Sequence, residues 1–195
     1  MPSASRLAAD ALALSRLVLA GVLAFTLSHA PAHTLLPAVV FVLAAASDYV
    51  DGPLARRAGG PTRHGAILDS LADVAFVLAG TVTGAARGLV PAAVPIAITL
   101  SFSLYALASV DARWGTARTI VGHRAGVANY ALTGLVTGAV AFPGAMVKPV
   151  LAGASLAVIA INLAAVLERL WAARRGRARA PHAGGTLARS GRSSA

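Results

Sequence analysis

The hydrophobic positions of this chain gather into long apolar runs, and polar residues collect between them. Six runs stand out, at about 11–29, 34–50, 66–86, 89–110, 121–143 and 150–172. Each approaches the roughly 20 residues that a helix needs to cross a bilayer core. The second is short as a purely apolar run and is extended here into the polar motif that follows it. Pro31 and Pro37 punctuate the first hairpin, Gly88 to Pro91 the turn between the third and fourth runs, and Phe142-Pro143-Gly144 another helix end, with Lys148-Pro149 opening the last run. The pattern predicts an all-α, polytopic membrane protein with six transmembrane helices, preceded by a short polar lead over residues 1–10.

Composition agrees: 57% of the 195 residues are hydrophobic and the mean hydropathy is +0.73, well above a soluble domain. Ala30-Pro31-Ala32 superficially resembles a signal-peptide cleavage site, but the run before it is longer than a signal core and only Arg6 precedes it. With no cysteine, disulfide and thiol chemistry are excluded. Gly134 and Gly138 form a small-xxx-small pair of the kind that lets helices approach closely.

The net charge of +10 is distributed unevenly. Arg56, Arg57 and Arg63 fall between the second and third runs, and Arg113, Arg118 and Arg124 between or just inside the fourth and fifth. Arg174, Arg175, Arg177, Arg179, Arg189 and Arg192 follow the last run, whereas the alternate connections hold only Arg87 and Lys148. This positive-inside asymmetry places both termini on the cytoplasmic side. No aromatic interleaving accompanies the basic residues, so nucleic acid is not the expected partner. The division is a membrane domain over residues 1–173 and a basic tail over 174–195, expected to be disordered and held near anionic headgroups.

The acidic residues decide the chemistry. Of only seven, Asp48, Asp51, Asp69 and Asp73 lie within one short stretch, between apolar runs. Carboxylates near lipid persist mainly with a partner or a task. In helices, positions 48 and 51 share a face, as do 65, 69 and 73. If the second and third helices are neighbours, the two pairs face each other and offer hard oxygen donors to one or two Mg²⁺ or Mn²⁺ ions. Gly52 and Ala55 leave room beside them, and Arg56 could offer a fixed cation to a phosphate. Such a set describes a diphosphate site.

The string Asp48-x2-Asp51-Gly52-x2-Ala55-Arg56-x8-Gly65-x3-Asp69-x3-Asp73 resembles, at all eight fixed positions, the signature of the CDP-alcohol phosphatidyltransferase family. With the six-helix layout, the resemblance covers roughly residues 10–172. It implies transfer of a phosphatidyl group from CDP-diacylglycerol to a small polar alcohol, with release of CMP, in a homodimeric enzyme of a bacterial cell membrane. It further implies that Asp48, Asp51 and Asp69 bind metal and that Asp73 both lies beside the metals and acts as general base. Gly52, Ala55 and Gly65 would accommodate the cytidine diphosphate, with Arg56 near phosphate and Thr62 a further nucleotide contact.

Ser15-Arg16-Leu17 and Leu54-Ala55-Arg56-Arg57 look most like phosphatidylglycerophosphate synthases, which use glycerol 3-phosphate. Two departures stand against this: Gly122-His123-Arg124-Ala125-Gly126-Val127-Ala128-Asn129 replaces their Gly-Lys stretch followed by Thr and Gln, and Ser70 follows Asp69 where they usually carry Pro. Arg118 and Arg124 are the candidates for an acceptor phosphate. Arg16 could reach a headgroup or phosphate, or snorkel to the interface. Inositol phosphate or another polar alcohol is the alternative acceptor. A cation transporter is the competing class, but it would place its carboxylates near the bilayer midplane rather than at cytoplasmic helix ends.

Overall fold

The six apolar runs fold as six helices in the computed structural model, which describes residues 4–57, 63–110 and 119–179; of residues 4–10, 12, 50–57, 63–66, 110 and 176–179 only the backbone is described. The helices are α1 (Ala4–His29), α2 (Leu36–Arg57), α3 (Arg63–Ala86), α4 (Ala93–Val110), α5 (Ile120–Ala141) and α6 (Val147–Arg179). There is no strand among the described residues. The fold is all-α, as the hydrophobic pattern predicts.

The helix ends follow from local chemistry. Gly88, at φ 68°, ends α3 in a left-handed turn. Its N–H donates to Ala85 O and that of Leu89 to Gly84 O, both at 2.9 Å, which satisfies the last carbonyls of the helix. Thr119 caps α5, its hydroxyl accepting from the Gly122 N–H at 3.0 Å. Pro149 does not delay α6 to residue 150, because a first-turn residue has no intrahelical N–H bond to lose. The helix also runs past 172 to Arg179, and α1 begins at Ala4, inside the expected polar lead.

Helix α1 packs most extensively on α3 and α2, while α6 packs on α5 and α4. Ala20, Leu23, Val40, Ala44 and Phe76 join the first three helices. A larger cluster around Leu27, Ile98, Leu132, Val136 and Val158 ties them to the rest. Arg87 donates from the end of α3 to the carbonyls of Leu27 and Ala30, fastening the end of α1. Gly134 allows close approach as expected, since a side-chain carbon there would lie 2.9 Å from the Phe41 ring; at Gly138 it would meet open space.

Several polar residues are buried among the apolar core, and many large apolar residues face outward. Thr81, Thr133, Thr137, Asn129, Ser155 and Asn162 are buried, whereas Val18, Phe25, Val42, Ile96, Leu156 and Leu167 are exposed. The stretches Ile67–Ala86 and Val147–Arg175 are long and apolar enough to cross a membrane, and Ala13–His29, Leu36–Tyr49 and Ala93–Ser109 are shorter apolar helical stretches. An apolar exterior, with several polar side chains held inside among the hydrophobic core, suits lipid as the surrounding medium.

Candidate active site

Packing of α1 between α2 and α3 brings the end of α2 beside the start of α3. Asp48, Asp69 and Asp73 converge there, each offering a carboxylate oxygen within 4.8 Å of those of the other two. Their side chains remain 53%, 49% and 38% exposed. Beneath them lies Arg16 of α1, with no exposed surface. Its Nη1 donates to Asp48 Oδ1 at 3.0 Å and to Asp73 Oδ1, and its Nη2 donates to Asp69 Oδ1 at 2.8 Å. Neither expected destination of Arg16 holds, since its guanidinium points inward to the acids rather than to a headgroup or the interface. The sequence did carry a signal: a lone arginine inside an apolar helix calls for a carboxylate partner.

The carboxylates open into a cavity of about 890 Å³ bounded by α2 to α6. Its lining also includes Arg169 of α6, which is 5% exposed. Arg169 Nη1 donates to both Ser101 O and Ser101 Oγ at 3.2 Å, and the guanidinium lies 5.6 Å from the Tyr105 ring centre. Tyr130, Asn129 and Asn162 line the same cavity. Asn162 Nδ2 donates to Asn129 Oδ1 at 2.6 Å, joining α5 to α6. Tyr130 stacks on Phe76, and its hydroxyl is buried without a hydrogen-bond partner among the described residues, as is Arg169 Nε.

The other expected site residues are placed as follows. Asp51, Gly52, Ala55 and Arg56 fall in the last turns of α2, and Gly65 in the first turn of α3, where only the backbone is described. Thr62 and Arg118 lie outside the described residues. Arg124 is exposed on α5, and it is its neighbour His123 that lines the cavity. Arg169 and Tyr130 were not singled out from the sequence. Arg169 stands close to the basic tail, where its charge merges with the topology signal, and a lone tyrosine in an apolar helix reads as packing.

Comparison with known families decides the class. The CDP-alcohol phosphatidyltransferase pattern matches residues 6–169. The chain belongs to the CDP-alcohol phosphatidyltransferase family. No curated protein matches it. As a CDP-alcohol phosphatidyltransferase it is a phosphotransferase of phospholipid biosynthesis that moves a phosphatidyl group from a CDP-alcohol to an alcohol. An outward-facing apolar surface agrees with a membrane protein of this family. The family uses divalent metal, and the donors here fit one: three carboxylates with hard oxygens close enough to share an ion, and no sulfur or imidazole among them.

Proposed function

We propose that the chain transfers the phosphatidyl group of CDP-diacylglycerol to glycerol 3-phosphate, releasing CMP. The observation that carries this reading is the cavity itself. One continuous space is lined both by the carboxylates and by the buried residue Arg169. A phosphate-bearing alcohol suits that polarity, with its reacting hydroxyl toward the acids and its phosphate toward Arg169.

Asp48, Asp51, Asp69 and Asp73 would hold one or two Mg²⁺ or Mn²⁺ ions. Bound there, such ions supply charge to the diphosphate oxygens and stabilise the entering and leaving oxygens. Gly52, Ala55 and Gly65 leave space for the cytidine diphosphate, with Arg56 and Thr62 as further contacts. Asp73 accepts the proton of the acceptor hydroxyl. That oxygen then forms a bond to the phosphorus bearing the diacylglycerol, the bridging P–O bond breaks, and its electron pair leaves on CMP. Arg169 takes the acceptor-phosphate role together with Arg118, while Arg124 is better suited to anionic headgroups. The lipid chains stay against the exposed apolar faces. Both termini lie in the cytoplasm, residues 1–173 form the catalytic domain with 174–195 as a basic tail, and the enzyme acts as a homodimer in a bacterial cell membrane.

The test is CMP release by purified protein from CDP-diacylglycerol with glycerol 3-phosphate, inositol phosphate, and uncharged inositol and glycerol. Turnover with glycerol 3-phosphate is expected. Turnover with inositol phosphate alone would keep the chemistry and Arg169's role but replace the acceptor. Turnover only with the uncharged alcohols would remove both assignments.

A further inference from the structure

Arg16 heads the large side chains that are fully buried. Its neighbours along α1 are Ala13, Leu14, Ser15, Leu17, Val18 and Leu19, none of them acidic, so no adjacent carboxylate balances its charge. Three partners from elsewhere do, at sequence separations of 32, 53 and 57 residues. They are the same three carboxylates whose oxygens converge closely enough to share an ion. Arg16 leaves the exposed side of the acids open to an ion. Arg16 comes from the interior, with no exposure, while the acids present 38–53% of their side-chain surface toward the cavity and solvent. A guanidinium fork bonded to three oxygens fixes where the remaining oxygens point.

We propose that Arg16 is a built-in counter-cation of the acidic cluster, which holds Asp48, Asp69 and Asp73 together from beneath and, by its own charge, weakens their hold on divalent metal. This rests on the reading that these carboxylates bind such an ion. Removing Arg16 has two opposed effects. Loosened carboxylates bind an ion less well, but the loss of a positive charge a few ångströms away lets them bind it better. At that range, in partly buried surroundings, repulsion between a unit charge and a divalent ion outweighs the loss of one positioning group. The charge effect therefore wins, and affinity rises. Arg16 is a positioning residue, and it lets the cluster persist as a folded unit when metal is scarce.

The experiment compares wild type, Arg16→Gln and Arg16→Lys as full-length protein in lipid nanodiscs. Mn²⁺ binding is titrated by calorimetry and by the paramagnetic signal of the free ion, and thermal unfolding is followed in chelator and in saturating Mn²⁺. Arg16→Gln is expected to bind Mn²⁺ at least about tenfold more tightly than wild type. It should also unfold several degrees lower in chelator, with the gap narrowing in Mn²⁺. Arg16→Lys keeps the charge but loses the fork, so it should hold Mn²⁺ about as wild type does and fall between the two in stability. If Arg16→Gln folds only with metal present, its Mn²⁺ requirement supports the proposal, and Arg16→Lys then supplies the test: Mn²⁺ binding much tighter than wild type in a variant that keeps the charge overturns it. Weaker or unchanged Mn²⁺ binding by Arg16→Gln, with wild-type binding intact, overturns the proposal alone. Absence of Mn²⁺ binding by wild type removes the divalent site itself and this inference with it.

Discussion

The guanidinium of Arg169 occupies the space left by the missing side chain of Gly122. A carbon added at position 122 would lie 3.4 Å from Arg169 Cζ and closer still to its Nη2. The first turn of α5 and the last third of α6 therefore meet through a glycine and an arginine, and the glycine sets where the charge sits. Gly122→Val should displace the guanidinium without removing it. We expect a raised KM for the acceptor with little change for the donor, and Arg169→Met should do the same by about 10–100-fold, the value of a charged hydrogen bond. Steady-state kinetics with each substrate varied separately checks this. An equal loss for donor and acceptor would contradict it.

Asn129 and Asn162 serve each other across the same helix pair. Asn162 also donates to Val158 O at 2.8 Å, so its amide is well used. Asn162→Leu should leave Asn129 short of a partner in a buried setting and lower stability by about 1–2 kcal/mol. Asn129→Leu combined with Asn162→Leu should cost less than the sum of the two single changes. Unfolding of all four proteins in a mutant cycle measures the coupling, and strict additivity would mean that the pair is not an energetic unit.

Divalent metal should be essential. Asp48→Asn and Asp69→Asn each remove a charged ligand from a cluster of acids. Each variant should lose nearly all turnover while remaining inserted and folded, and chelator should abolish wild-type activity until Mg²⁺ or Mn²⁺ is restored. Undiminished CMP release in chelator would refute the metal requirement.

Asp73→Asn should lower turnover by about 10²–10⁴-fold, the usual contribution of a positioned base. Because Asp48 and Asp69 remain, CDP-diacylglycerol binding should be largely kept. Separate measurement of donor binding and of single-turnover rate distinguishes a lost base from a lost ligand. A parallel fall in both would assign Asp73 to metal binding alone.

The arginine asymmetry predicts that residues near Arg63 and Arg118 face the cytoplasm and residues near His33 and Lys148 the opposite side. Single cysteines introduced at these places, in a chain that has none of its own, allow labelling from either face. Labelling of both sets from one side would overturn the topology.

Much of this protein is legible along the chain because its signals are local. A run of apolar residues long enough for a bilayer is a property of one segment, and so is the termination of α3 by Gly88 or the capping of α5 by Thr119. The acidic motif is legible for the same reason. Helical periodicity alone aligns Asp69 with Asp73, and a spacing of acids with small residues between them carries its chemistry in the sequence. The helix limits were less legible, since Pro149 tolerates the helix around it and an Arg-rich stretch such as 174–179 can continue a helix as well as end one.

Tertiary structure decided everything that depends on which segments meet. Arg16 lies 32 residues from Asp48 and 57 from Asp73, and no periodicity connects positions so far apart. Only the packing of α1 against both α2 and α3 turns a lone intramembrane arginine into the partner of three acids. The same holds for Arg169, whose charge along the chain belongs to a basic terminus but whose side chain is buried against α4 and α5 in the wall of the cavity that those acids also line. The reason is physical: a helix's own geometry sets which residues share its face, but where that face points is set by the long-range burial of other helices against it.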